Sequence, residues 1–375
     1  SRDIEPLSQQ DFMRFLFRWQ QVGPHATARG PRGLATVVAR LQGLELPAAA
    51  WERDIFPSRM KQYIGEWLDH ARFGGEVAWG RLTLREPKLV GPRRGDLSGM
   101  EGNELVAATK RPGLTRVASL TFVQRQDLDW LLSAARPEDA RLADGPKPWP
   151  DDLSQAARDV LAVLERRGAS FFAELNAGTR RLPNEVEDAL WELLARGLIS
   201  ADAVQNLRVL QSPKLKRLQR AQQRGGPGRW TLLAPLERPE PEEVTERLAT
   251  LFLKRWGIVF RDLVVREPLC PPWRELLQVY RRLETRGELR GGRFLHGFAG
   301  EQFALPEAVD LARSTRRLPK NGEVITLSAA DPLNLTGVVT AGPRVPAVMG
   351  HLVRYVDGVP EGSMPAAVVE EELPS

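Results

Sequence analysis

Apolar residues recur along this chain at two spacings: three to four residues apart through most of its length, and near-alternate towards its end. Phe12, Phe15, Leu16 and Trp19 share one face of a helix that Ser8 can cap. Leu34, Val37, Val38 and Leu41 form a second helix, ended by Gly43. Pro47 opens a short helix through Trp51, and Pro57-Ser58 starts a longer one predicted to end at Gly74. A second set follows, with Ser154 capping 155–167, a short helix over 171–175, and Pro183 opening a helix striped by Val186, Leu190, Leu193 and Leu194. A third set covers 244–256, 258–265 and 272–286. After Arg317 the pattern changes to short β-prone runs at 324–328, 336–340 and 348–355, with turn signals at Asn321-Gly322 and Asp357-Gly358.

Each set ends in the same junction. It reads Trp67-Leu68-Asp69-His70-Ala71-Arg72-Phe73-Gly74-Gly75-Glu76-Val77, then Leu190-Trp191-Glu192-Leu193-Leu194-Ala195-Arg196-Gly197-Leu198-Ile199, then Tyr280-Arg281-Arg282-Leu283-Glu284-Thr285-Arg286-Gly287-Glu288-Leu289. An amphipathic helix with a basic residue near its end meets a glycine able to take φ > 0, and a strand begins. The third helix of a winged helix enters its wing in this way. The expected architecture is α+β: tandem winged-helix domains followed by a small C-terminal β-barrel-like domain. The expected modules are 1–136 with an extended wing insertion, 137–236 with a basic loop, 237–318, and a β domain over 319–375. Proline-rich stretches at 137–150 and 235–241 supply the linkers.

Composition narrows the function classes. A chain of 375 residues, 42% hydrophobic and 27% charged, has the means to bury several cores. Its apolar runs are far too short to cross a bilayer, so no membrane role is expected. With an opening Ser and no charged-then-apolar leader, it reads as a soluble intracellular piece of a longer protein. One cysteine, Cys270, excludes an internal disulfide and any multi-cysteine zinc site. His25, His70, His296 and His351 show no ligand spacing, and no metal is expected.

The net charge of +5 and a pI near 9.6 are only mildly basic, so the distribution matters more than the sum. No acidic residue lies between Ala203 and Leu236, while Arg208, Lys214, Lys216, Arg217, Arg220, Arg224 and Arg229 all do. Such a segment, loosened by Gly225, Gly226 and Gly228, suits salt-dependent binding to a phosphate backbone; a solvated basic loop is the plainer reading. The third junction helix carries Arg274, Arg281, Arg282 and Arg286, and its wing adds Arg290 and Arg293, making this the favoured DNA-contacting module. The second carries Glu185, Glu187, Asp188 and Glu192 and suits a structural or protein-contact role. Phe294, Phe298 and Trp79 sit at wing positions from which bases could be stacked, whereas most other tryptophans fall at core spacing.

Particular residues carry a resemblance. The run from Gly291-Gly292-Arg293-Phe294-Leu295-His296-Gly297-Phe298 through Ala308-Val309, and Ser328-Ala329-Ala330-Asp331-Pro332-Leu333-Asn334-Leu335-Thr336-Gly337, look like signature segments of Lhr (large helicase-related) proteins. Phe15-Leu16-Phe17-Arg18-Trp19-Gln20 and the stretch from Leu41 to Glu52 are similar as well. The resemblance implies the C-terminal region of a superfamily 2, ATP-dependent 3′–5′ DNA-repair helicase whose core lies upstream in the same chain. ATP and Mg would serve that core; no G-x-x-x-x-G-K-[ST] loop occurs here, and no cofactor is expected for this segment. It also implies single-stranded or forked DNA as partner, with an RNA–DNA hybrid as a further one, a homo-tetramer, and a cytoplasmic, nucleoid-associated location.

The same region of the family is similar to AlkZ-type DNA glycosylases, in which a Gln-x-Gln or Gln-x-Asp pair orients the hydrolytic water. Here Gln42 matches the first position, Leu44 stands at the second, and Glu45 is the nearest substitute, turned by about 100° on a helix. Asp331 is a further candidate carboxylate, with an Asx-turn role as its plainer reading. Three functions stay open: a DNA-holding region of a repair helicase, a glycosylase acting on uracil or alkylated bases through Gln42, Glu45 and Asp331, and a winged-helix transcription regulator.

Overall fold

The computed structural model describes residues 5–73, 75–84, 119–137, 149–203, 228–235 and 239–365. Helix α1 (Gln9–Trp19) begins at Ser8, whose Oγ accepts the Asp11 N–H at 3.1 Å. Next come α2 (Gly30–Leu41), strand β1 (Leu46–Pro47), a helical segment α3 (48–59) with a π turn over Trp51–Ile55, α4 (Gly65–Phe73), β2 (Val77–Gly80), β3 (Ser119–Gln124) and α5 (Leu128–Ala135). The second set is α6 (Gln155–Arg167), β4 (Ser170–Phe171), α7 (Phe172–Thr179), α8 (Pro183–Ala195), β5 (Ile199–Ala201) and β6 (Arg229–Leu232). The third is α9 (Pro241–Trp256), β7 (Ile258–Phe260), α10 (Arg261–Val264), α11 (Trp273–Thr285), β8 (Arg290–Gly292) and β9 (Gln302–Ala304). The chain continues through α12 (Pro306–Arg317), β10 (Val324–Ser328), β11 (His351–Val356) and β12 (Val359–Pro365).

The repeat seen in the sequence is a repeat of topology. The three sheets are ordered β1-β3-β2, β4-β6-β5 and β7-β9-β8, all antiparallel, so in each the last strand lies between the other two. With three helices interleaved in the same order, each set is a winged helix. The junction glycines share one left-handed conformation: φ is +75° at Gly75, +79° at Gly197 and +77° at Gly287. At Gly197 a side chain is excluded twice over, because a Cβ would also lie 2.8 Å from the Arg81 carbonyl oxygen.

Two details differ from the periodicity. The helix predicted from Pro57 to Gly74 is interrupted, since α3 stops at Arg59 and α4 starts at Gly65. And α1 comes before the three helices interleaved with the β1-β3-β2 sheet, which are α2, α3 and α4. Phe12, Met13, Phe15, Leu16 and Phe17 are all buried, so α1 is enclosed nearly all round. Its partners are distant in sequence: Phe12 meets Phe260 at 5.9 Å between ring centroids, and Phe17 meets Tyr355 at 5.1 Å. Gly257 (φ +70°) lets α9 end against α1, where a Cβ would sit 2.8 Å from the Trp19 ring.

Two apolar cores result. One joins α1, α5, the third winged helix and the C-terminal sheet. The other joins α2 to α4, β2 and β3 with the second winged helix. The C-terminal strands form an open antiparallel sheet, β10-β11-β12, which is not closed into a barrel among the described residues. Asp357 (φ +48°) and Gly358 (φ +83°) make the tight β11–β12 turn that an Asp-Gly pair favours. Residues 336–340 form turns with a single bridge, Thr336 to Thr340, in place of the expected strand.

Buried arginines cross the seams between these parts. Arg59, 1% exposed, donates to both oxygens of Asp331 at 2.6 and 2.9 Å and to Gln20 Oε1 at 3.0 Å. Arg255 donates to the Gln42 carbonyl at 2.6 Å, the Arg40 carbonyl at 3.0 Å and the Glu267 carboxylate. Arg136 binds the carbonyls of Leu82, Leu233, Arg81 and Gly197. Removing one partner of a buried ion pair leaves the other charge desolvated, at a cost of about 3–5 kcal/mol. Arg59→Ala is therefore expected to lower unfolding stability by about that amount in a denaturant titration, while Arg59→Met/Asp331→Leu together lose less than Arg59→Ala alone.

Candidate nucleic-acid interface

Helix α11 is amphipathic because its buried side, with Leu276, Val279 and Tyr280, faces α9 and the β7-β9-β8 sheet. Arg274, Gln278, Arg281 and Thr285 stand four, three and four residues apart, so they form one stripe on the opposite, exposed side. The wing is tied to this stripe. Arg281 donates to Glu301 at 2.6 and 3.1 Å across the wing loop, and Glu284 accepts the Gly291 N–H at 3.1 Å. Buried Gln302 holds the loop from within, accepting the N–H groups of Phe294 and Leu295 at 2.8 Å and donating to the Leu295 carbonyl at 3.1 Å.

Of the sequence-predicted cations on this face, Arg281 pairs with Glu301, Arg282 with Glu246, and Arg286 lies 4.0 Å from Glu288. All these groups are about half exposed or more, where ion pairs are worth little and yield to competing anions. Arg274, Arg290 and Arg293 are exposed and form no ion pair among the described residues. Counting from the junction glycines, Arg274 and Arg281 correspond to Asn184 and Trp191 in the second copy and to Gln62 and Asp69 in the first. Only the third copy carries a cationic stripe at these positions.

The other expected contacts fall differently. Arg208, Lys214, Lys216, Arg217, Arg220 and Arg224 lie outside the described residues, and Arg229 on β6 pairs with Asp202 at 3.1 Å. Trp79, Phe294 and Phe298 are buried, at 1%, 2% and 9% exposure, and are core residues with no face free for a base. The acidic α8 uses two of its carboxylates internally: Glu192 is buried against Arg196 and the Ser154 N–H, and Glu185 pairs with Arg181 and caps its own helix. Trp191 of α8 packs edge-on against Trp230.

The three candidate catalytic residues are split between two cavities. Gln42 ends α2 and lines a cavity of about 440 Å³ beside Gln124, Asp127 and Lys254. Its amide is engaged at both ends, donating to Asp127 at 2.7 Å and accepting the Gln124 N–H at 3.0 Å. Glu45 and Asp331 line a different cavity of about 200 Å³, bounded by 44–46, by Leu263 to Glu267, and by 329–347. The turn Gly43-Leu44 separates Gln42 from Glu45, so the two never share a helix face. Glu45 accepts from the Thr83 N–H at 2.7 Å and hydroxyl at 2.8 Å, with Arg81 3.6 Å away. Asp331 is at once the Arg59 partner and an Asx-turn acceptor for the Leu333 N–H at 2.9 Å. The sequence offered no sign of that Arg59 pairing, which spans 272 positions.

Among the described residues no three His, Cys, Asp or Glu side chains converge as metal ligands would, and no helix is long and apolar enough to cross a membrane. Cys270 is no ready nucleophile. Burial, and then the Glu267 charge, push its thiol up to about 11. Its alkylation by iodoacetamide should be slow at pH 8 and climb towards pH 11, a rise that a free thiol would complete about two units lower.

Two domain models of the large helicase-related protein, both winged-helix domains, match residues 7–90 and 238–324. A protein of Mycolicibacterium smegmatis named "Lhr helicase/ probable uracil glycosylase" is 28% identical over 389 residues, covering 95% of this chain and 23% of that protein. One of Escherichia coli named "Lhr helicase/uracil glycosylase" is 28% identical over 351 residues, covering 85% of this chain and 20% of its own length. The chain thus spans about a quarter or less of these relatives. The solved structure of the Streptomyces sahachiroi DNA glycosylase AlkZ has the same fold, with a TM-score of 0.51 at 15% identity, covering 98% of this chain and 95% of that one. Residues 7–90 and 238–324 are therefore winged-helix domains of the large helicase-related family, in a chain that corresponds to the C-terminal region of such helicases.

Proposed function

We propose that this chain is the DNA-holding C-terminal region of an Lhr-type helicase, grasping single-stranded or forked DNA while an upstream core hydrolyses ATP. The observation that carries this reading is the α11 stripe with its wing: Arg274, Arg290 and Arg293 lie exposed, with no carboxylate paired to them among the described residues. Phosphate neutralisation by such a face is strong at low salt and indifferent to sequence. In fluorescence anisotropy with a labelled forked oligonucleotide, affinity should fall steeply with salt. The triple variant Arg274→Ala/Arg290→Ala/Arg293→Ala should weaken binding about equally for unrelated sequences and shrink the log–log salt slope by about three. A slope unchanged by the triple variant would move the DNA face elsewhere; absence of salt-sensitive binding by the unaltered chain sinks the reading.

A second reading is glycosylase chemistry. The names of the two relatives include uracil glycosylase, and Glu45 and Asp331 line one cavity. A flipped nucleotide needs such a recess, and N-glycosidic hydrolysis needs a group that orients water. Asp331 is sealed in its clasp with Arg59, whereas Glu45, held by Thr83 and 3.6 Å from Arg81, keeps some exposure and is the group assigned that role. With uracil-containing DNA followed by alkaline cleavage, Glu45→Gln should reduce strand scission by about 10²–10⁴-fold. No scission by the unaltered chain would dismiss this second reading and leave the DNA-holding one intact.

A further inference from the structure

The cavity that Glu45 and Asp331 share has an unusual charge arrangement. Three carboxylates lie in its wall, Glu45, Glu267 and Asp331, and each has an arginine behind it: Arg81 at 3.6 Å, Arg255, and Arg59 at 2.6 Å. Those three pairs neutralise one another. Two further arginines line the same cavity, Arg266 just after α10 and Arg344 in the 329–347 segment. Both are exposed, and neither forms an ion pair among the described residues. The cavity therefore carries two uncompensated positive charges from chain segments 78 positions apart, brought to one recess by the fold. Burial, and then the charge of Arg344, pull the Arg266 guanidinium below its ordinary value, so the two cations feel each other. A pair of like charges held together without an anion is unfavourable, and an anionic ligand between them reverses the sign of the interaction.

The same wall is built on a fixed amide. Asn334 donates through Nδ2 to the carbonyls of Ala329 at 2.8 Å and Val345 at 3.1 Å, which fixes the orientation of its amide. Its Oδ1 is then left buried, with no donor among the described groups. A buried acceptor without a partner costs free energy, so the fold holds this amide in place at the expense of its oxygen. The remaining wall is apolar, including Leu44, Trp256, Leu263 and Leu335. At about 200 Å³ the cavity has the space of roughly seven waters, enough for one small ring and too little for a base pair.

We infer that Arg266 and Arg344 form a phosphate-binding site at this cavity, which takes the phosphate of a nucleotide unit, either within a DNA strand or as a free phosphorylated compound. The guanidinium forks suit phosphate oxygens, which both can approach with paired N–H donors. The strand source rests on the DNA-holding reading; the phosphate site itself does not.

The test uses the full chain and three probes: inorganic phosphate, uridine 5′-monophosphate and a labelled single-stranded oligonucleotide. Inorganic phosphate and the mononucleotide should raise the melting temperature above chloride at matched ionic strength. Arg266→Ala/Arg344→Ala, two exposed positions relieved of their mutual repulsion, should leave the unliganded melting temperature no lower and abolish both rises. In the oligonucleotide arm, a salt slope smaller by about two in this variant identifies the strand as the phosphate source. An unchanged slope with the phosphate response lost identifies a free phosphorylated compound. The inference is overturned if phosphate gives no more stabilisation than chloride, or if its effect survives the double variant. The DNA-holding reading fails separately, through absent salt-sensitive binding by the unaltered chain.

Discussion

The fold depends on guanidinium groups sealed at its seams. Arg59 reaches from the first winged helix to Asp331 in the C-terminal segment, and Gln20 joins the same cluster by accepting from Arg59 and donating to the Arg255 carbonyl at 3.0 Å. Arg255 in turn reaches back to the carbonyls of Arg40 and Gln42. Arg14 does the same for α1, binding Asp11 and the carbonyls of Leu318 and Pro319 at the end of α12. A charge out of water needs partners, and the terminal nitrogens of Arg14 and Arg59 find theirs only in one relative placement of the parts. Apolar packing supplies the driving force for the two cores, but it tolerates sliding; the arginine network does not. Crowding of these cations is visible at Arg40, where burial and then the Arg59 charge lower the guanidinium to about 10.

This explains which features could be read from the sequence. Local devices were legible: the Ser8 and Ser154 caps, the Asp357-Gly358 turn, and the junction glycines whose left-handed backbone recurs in all three copies. Each is decided within a few residues by a capping hydroxyl or by the absence of a Cβ. The placement of α1 was not legible. Its apolar positions nearly encircle the helix, which says that it is enclosed but not by what, and its partners Phe260 and Tyr355 lie hundreds of residues away. The wing aromatics misled for a related reason. Phe294 and Phe298 occupy a glycine-rich, arginine-bearing loop, yet Gln302 folds that loop inward and their rings join the core.

The candidate site was half legible. The charge difference between α8 and α11 is written in the sequence, and the structure adds that α8 spends Glu185 on its own cap and Glu192 on a buried pair, while α11 turns its arginines outward. The three candidate catalytic residues were not separable by sequence, because they lie close to turns. Two residues, Gly43 and Leu44, suffice to send Gln42 to one cavity and Glu45 to another. Asp331 carries an Asx turn, as expected of Asp before Pro, and also a clasp to Arg59 that no local pattern announces.

The arginine network also bears on how a nucleic acid would be met. Leu7 pairs with the wing of the third module, donating its N–H to the Phe294 carbonyl at 2.7 Å and accepting that of His296 at 3.0 Å. With α1 fixed by Arg14 and by its aromatic contacts, this bridge makes the chain's beginning a brace for a wing near its end. A wing held from below by Gln302, at one edge by Leu7 and towards α11 by Arg281–Glu301 does not have to be ordered when a strand arrives. The entropy of that ordering is lost on folding and not on binding, so any phosphate contact that Arg274, Arg290 or Arg293 made would appear more fully in affinity. A rigid presentation of positive charge without base-reading aromatics favours a grip on backbone phosphates over recognition of sequence, as a part that holds DNA for a moving motor would require.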